Sequence, residues 1–187
     1  LGILIGVAAV ASVMSLGRIQ QNMQQEAFAS LGTNLIYVMP GAPTGMGMGG
    51  TLGTAVTMTM KDAEAIARYA PSVAAVAPTV QTTAQMKAGD KNMSSMVAGV
   101  TPEYQWVNNL TVAEGSFISE SDYNGRSRVV VLGNHLAESL FGAMNPVGQT
   151  MRIKGRQFQV IGVLETKGTA FGGEDIVAYA PLSTVQS

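Results

Sequence analysis

The apolar positions of the chain fall into three regimes. From Leu1 to Leu16 the run LGILIGVAAVASVMSL carries no charge, and the first charged residue is Arg18. A bilayer core about 30 Å thick takes roughly 20 such residues as a helix. Residues 1–17 therefore read as the C-terminal part of a first transmembrane helix, cut by the start at Leu1. Gly2, Gly6, Ala8, Ala9, Ala11 and Ser12 suit close helix packing in lipid. Three other readings stay open for the same run: a buried core helix, a strand of the mature chain, and the apolar part of a secretory signal cleaved after Ala9-Val10-Ala11. Over 18–32 the spacing of Ile19, Met23, Ala27 and Leu31 among Gln and Asn predicts an amphipathic stalk helix, with Gly32 as C-cap.

The second regime alternates short apolar runs with turn residues. TNLIYVMPG predicts a strand buried on both faces, since Leu35, Ile36, Tyr37 and Val38 favour strands and Pro40-Gly41 closes them. A Gly-, Thr- and Met-rich stretch without periodicity follows from Gly41 to Thr57. Thr59 and Asp62 then form the pattern of a capping box, opening a helix whose inner face is Ala63, Ile66, Ala67 and Ala70 and which Pro71 ends. Strand character returns from Val73 to Met86, and a Gly89-Asp90 turn leads to a second strand from Ser94 to Val100.

In the third regime, Trp106, Asn108-Asn109 and VAEGSFISESDY read as a turn-rich connector with short helical pieces. RVVVL, Arg128 to Leu132, predicts a strand, and HLAESLF a helix ended by Gly142. After a turn at Asn145-Pro146-Val147-Gly148, MRIK and QFQVIGVLE predict a hairpin across Gly155-Arg156. IVAYAPLSTV gives a last strand and the start of a helix.

Charge and composition remove several classes of function. Eleven Lys and Arg against 12 Asp and Glu leave a net charge of -1, without the dense positive surface that nucleic acid requires. The absence of cysteine excludes disulfides, thiolate metal sites and cysteine nucleophiles. Gly45-Met46-Gly47-Met48-Gly49-Gly50 departs from G-x-G-x-x-G and does not open a helix from a tight turn, so it reads as a loop and not as a phosphate cradle. Met46, Met48, Met58 and Met60 form two M-x-M pairs and read first as loop and core residues; soft thioethers can bind Cu(I), but adaptable contact with a partner or an apolar substrate fits them better than copper does. His135 is the single histidine and cannot build a zinc site alone. Asp62 and Glu64 point apart on a helix, Glu120 and Asp122 fall in a turn, and Glu174-Asp175 are neighbours at a strand entrance. No nucleophile elbow occurs. No catalytic, cofactor-binding or metal-ligating residue is assigned, and no cofactor is expected.

Four stretches together resemble one family, the periplasmic core domain of MacB-type ABC transporter permeases, related to the FtsX and LolC/LolE permeases. They are LGILIGVAAVASVMSLG leading into SLGTNLIYVMPG, then TMKDAEAIARYAPSVAAVAPTV, then VVVLGNHLAESLFGAMNPVGQTMRIKGRQFQVIGVLETKG, and finally DIVAYAPLSTVQ. The resemblance implies an α+β (mixed α/β) fold: a porter-like βαβ subdomain with a small inserted α/β subdomain, called Sabre, preceded by the end of a transmembrane helix. Porter-like segments would be 33–100 and 174–187, and the Sabre-like insertion 101–173. It further implies a bacterial inner-membrane location with the domain on the periplasmic side. A dimer of this permease or a permease heterodimer, an ABC ATPase domain or subunit, and a periplasmic adaptor are the implied partners. Macrolides, peptides or lipid-linked cargo would be exported or extracted. The chain has no G-x-x-x-x-G-K-[ST] string, so the ATPase is expected outside it and the domain itself is not expected to be an enzyme. A secreted or membrane-anchored α/β ligand-binding module without a transport role is the competing expectation.

Overall fold

A computed structural model of the chain describes residues 35–39, 58–166 and 174–185. The expected transmembrane and stalk segments, 1–17 and 18–32, and the Gly/Met-rich stretch lie outside these residues. Among the described residues no helix is long and apolar enough to cross a membrane.

Helix α1, Met60–Tyr69, begins where the capping pattern places it. The Asp62 carboxylate accepts hydrogen bonds from the Thr59 amide at 2.7 Å and from the Thr59 hydroxyl at 2.8 Å. These two donors, the amide first, hold the Asp62 carboxyl below its ordinary pKa. The expected inner face is only partly covered: Ala63, Ile66 and Ala70 are half-buried and Ala67 is exposed.

Seven strands follow: β1 Val80–Ala88, β2 Lys91–Val100, β3 Val112–Gly115, β4 Val129–Leu132, β5 Thr150–Ile153, β6 Arg156–Leu164 and β7 Val177–Pro181. They form one sheet in the order β3-β6-β4-β7-β2-β1-β5, and β5 also pairs with β6. That extra pairing closes six strands into a ring and leaves β3 as an addition to β6. Closure removes most of the exposed edges that would otherwise template aggregation.

The strands alternate between two cores. Ala84, Met86, Val97, Val130, Leu132, Met151, Ile153, Val160, Ala178 and Ala180 face inward. Helix α4, Asn134–Phe141, supplies Leu136, Ala137 and Leu140 to the same cluster and lies against β1, β2 and β6. Ala84 and Ala88 at inward positions of β1 leave room for it. On the other face Ala98, Val100, Val131, Leu164, Val177 and Tyr179 pack with Leu110, Phe117 and Ile118. Helices α2, Tyr104–Val107, and α3, Glu120–Asn124, belong to the segments covering this outer face.

Strand β6 changes phase midway. Val130 pairs with Val160 but Val131 with Gly162, so Ile161 is the extra residue of a bulge. Phe158 and Val160 point inward before it and Val163 after it. The bulge needs glycine twice. A Cβ on Gly162 would lie 2.4 Å from the Ser116 carbonyl oxygen, and one on Gly115, at φ +80, 2.1 Å from that of Ile161.

Several elements differ from expectation. Leu35–Met39 forms no strand, and Ile36, Tyr37, Val38 and Met39 are exposed, because no described strand lies beside them to complete a ladder. The strand expected from Val73 begins at Val80. Glu120 and Asp122 lie in α3, where the Ser119 amide donates to Asp122. The second hairpin turns at Lys154-Gly155, one residue earlier than expected; both adopt positive φ, 48° and 80°, as a two-residue type I′ loop requires.

Replacing Gly162 by Ala is expected to cost about 3 kcal/mol, within the range of overpacked and strained sites. A lowered denaturant midpoint would show it; an unchanged one would mean the bulge tolerates a side chain. For Asp62 the folded pKa lies below the unfolded one, so its contribution is present above the ordinary carboxylate range and lost as pH falls through the folded value. Asp62→Asn should fray the first turn of α1 at neutral pH. Backbone chemical shifts of Lys61 and Ala63 should report it, and acidification should reproduce it in the unaltered chain.

Candidate functional site

The structure keeps the chemistry-bearing residues apart. Among the described residues no three His, Asp or Glu side chains gather as a metal site. His135 is exposed and its Nδ1 lies 3.8 Å from Oε2 of Glu138 on the same helix. Asp62 is committed to Thr59, and Asp175 is buried in a single 3-10 turn, Glu174–Ile176. Met58 is exposed and Met60 half-buried at the start of α1; Met46 and Met48 lie outside the described residues.

What the fold does bring together is its own point of entry and exit. Strand β1 starts at Val80, which pairs with Gly99 of β2. The last described helix, α5, Leu182–Val185, packs on the same glycine. A Cβ on Gly99 would stand 3.0 Å from Cβ of Val185 and 3.2 Å from Cδ1 of Leu182. Glycine at this position lets the exit helix approach the backbone of β2. Two hydrogen bonds fasten α5 from its other side: the Ser183 hydroxyl donates to the Tyr123 carbonyl at 2.6 Å, and the Thr184 hydroxyl to the Ser127 carbonyl at 3.0 Å. Residues 80–185 thus leave the rest of the chain through two neighbouring backbones.

The limits expected at 100/101 and 173/174 fall within this body. Strands β1, β2 and β7 come from the segments assigned to the porter-like part, β3 to β6 from those assigned to the Sabre-like part, and all seven share one sheet.

A second contact joins the body to the segment that precedes α1. The Tyr37 hydroxyl donates to Oδ1 of Asn108 at 3.3 Å. Asn108 is buried and its Nδ2 donates to the Tyr104 carbonyl at 3.1 Å. The Tyr104 ring stands 5.8 Å from that of Tyr179 on β7, and Phe117 lies 6.3 Å from Tyr179 on the same face. A side-chain hydrogen bond therefore links residues 35–39 to the outer core. Trp106, exposed on α2 beside this contact in sequence, is the largest side chain there that the body leaves uncovered.

These contacts tie residues 80–185 to the segments on either side of them, and among the described residues no cluster of His, Asp and Glu accompanies them. Sequence pattern gives Gly99 and Asn108 no distinguishing mark, because each matters through a partner more than 70 residues away in the chain.

A body whose two ends leave side by side is built like a domain inserted into another. The chain belongs to the family of the MacB-like periplasmic core domain, whose model matches residues 1–187. It is 38% identical over 191 residues to the macrolide export ATP-binding/permease protein MacB of Syntrophobacter fumaroxidans, covering 100% of this chain and 26% of that protein. It is 35% identical over 187 residues to the protein of the same name from Hyphomonas neptunium, covering 98% of this chain and 28% of that one. The chain thus spans about a quarter of the length of these curated relatives. The periplasmic region of MacB from Actinobacillus actinomycetemcomitans matches with a TM-score of 0.62 and 25% identity, over 69% of this chain and 57% of that one. The extracellular domain of the ABC-type transporter YknZ from Gram-positive bacteria shares the fold, with a TM-score of 0.61 and 21% identity over 69% and 65% of the two chains. The mixed α/β class expected from the sequence agrees with both.

Tyr37→Phe removes one hydrogen bond to an already supported asparagine. It should speed proteolysis within residues 35–39 and leave the melting temperature of the body unchanged, since Tyr37 is largely exposed. Unaltered proteolysis would remove the contact from the account.

Proposed function

We propose that this chain is the periplasmic part of an inner-membrane ABC transporter permease subunit, and that it transmits ATP-driven movement of membrane helices to exported or extracted cargo. Macrolides, peptides and lipid-linked molecules are the cargo classes. ATP would be hydrolysed on a domain or subunit outside this chain, and the chain itself performs no bond chemistry. Its partners in this reading are the membrane, the ATPase, a second permease subunit and a periplasmic adaptor.

The observation that carries the mechanical part is the convergence of Val80 and Val185 on Gly99. Motion delivered to a sheet closed on itself through one paired junction moves the sheet as a body, because each of the six ring strands is paired on both sides. In the same reading the inserted unit runs from Val80 to Val185, and α1 with residues 35–39 belongs to the surrounding porter-like unit. The names of the relatives, which print macrolide export and an ATP-binding/permease protein, support the transport reading.

The adjacency of the two ends makes the test direct. In the transporter that this reading implies, residues 81–184 are replaced by a short Gly-Ser linker joining Val80 to Val185, a span that a flexible linker bridges easily. The unaltered transporter should raise macrolide tolerance of an efflux-deficient host several-fold, and the excised form should retain ATP hydrolysis while losing that protection. Undiminished protection after excision would show that the unit takes no part in export.

A further inference from the structure

We infer that the seam closing the sheet carries a binding site for a phosphate-class dianion, formed by Lys87, Arg152, Thr150 and Gln157. The ring closes between β1 and β5 through only two residue pairs, Met86↔Ile153 and Lys87↔Arg152. The first lies in the inner core. The second places two cations directly opposite each other on the outer surface, an arrangement that destabilises a strand pair. Arg152 also faces Gln157 across β6, so a row of three donor side chains crosses the seam.

Neither Lys87 nor Arg152 has an ion-pair or hydrogen-bond partner among the described residues. A depression of about 280 Å³ lies over them, lined by Lys87, Gly89, Thr150, Met151, Arg152 and Gln157, with no carboxylate among its walls. The surrounding charge is segregated in the same sense. Residues 80–100 and 150–164 hold Lys87, Lys91, Arg152, Lys154 and Arg156 against Asp90 alone, a local charge of +4 in a chain whose total is -1.

One of the two shortest pairings of the ring thus also carries an uncompensated pair of cations. An oxyanion seated between the two cations relieves their repulsion and adds charge-assisted hydrogen bonds across the seam. The guanidinium fork suits two oxygens of one anion and the ammonium a third. Thr150 and Gln157 supply neutral donors at the sides. A phosphate monoester, close to a dianion at neutral pH, matches two fixed cations better than a single carboxylate. Free phosphate and a phosphate-bearing lipid headgroup share this chemistry.

Thermal unfolding of the full chain in inorganic phosphate and in chloride, at equal ionic strength, tests the site. Ligand well above its dissociation constant should raise the melting temperature by about 3 °C over chloride. Arg152→Gln and Lys87→Gln should each abolish that difference. In chloride both variants should melt no lower than the unaltered chain, since each removes a like-charge contact, so loss of the phosphate effect is not loss of folding. Equal melting in the two salts, or a phosphate effect that survives Arg152→Gln, overturns the inference. Short-chain phosphatidic acid tested against short-chain phosphatidylcholine identifies the source. A larger shift with phosphatidic acid than with inorganic phosphate assigns a lipid headgroup, an equal or smaller one the free ion, and either outcome upholds the site once Arg152→Gln abolishes it.

Discussion

The body depends on the bulge in β6. That strand is nine residues long and pairs with three others: β5 along its first half, β3 along its second, and β4 on the opposite edge. A regular strand would carry its alternation through Ile161 and turn Val163 away from the interior. With the extra residue, Phe158, Val160 and Val163 all reach the inner core while Leu164 reaches the outer one. The two glycines that admit the close approach of residues 115–116 are therefore a condition for the closed ring, and the ring is what makes 80–185 one object.

Closure also explains the placement of the small residues. Ala84 on β1, a strand against which α4 rests, and Ala178 and Ala180 on β7 share one core cluster with Leu136 and Leu140, and larger side chains would overfill it. Gly99 does for the exit helix what the alanines do for α4. Entry strand and exit helix meet on that one residue, and the clasp of Ser183 and Thr184 on the α3 region keeps the exit from pivoting. In the proposed function this unit is carried and turned, and the Tyr37–Asn108 bond attaches it to the segment before α1.

Local signals in the sequence carried much of the secondary structure. The Thr59–Asp62 pair opens α1, Gly142 ends α4 with a positive φ of 66°, and both hairpins turn at or within one residue of their glycines. The two longest misreadings have a common cause. Leu35–Met39 and Val73–Thr79 are apolar and β-branched enough for strands, but a strand exists only where a partner completes its hydrogen bonds, and no described strand lies beside either. The short β3 reads as connector in sequence because its four residues show no alternation and are fixed by the bulge opposite them. The junction at Gly99 and the cation pair at the seam were hidden for the same reason: register between distant strands decides them, and no local pattern encodes register.

The claim that residues 80–185 move as a body can be measured by pulsed electron resonance in the transporter of the proposed function. The chain has no cysteine of its own, so its labelled positions are unambiguous within it. One label pair lies within the body, at the exposed Gln85 and Gln159; a second pair joins Gln159 to the exposed Arg68 of α1. Between nucleotide-free and ATP-bound states the account requires an unchanged Gln85–Gln159 distance and a displaced Arg68–Gln159 distance. A change within the body, or no change between the body and α1, would contradict it.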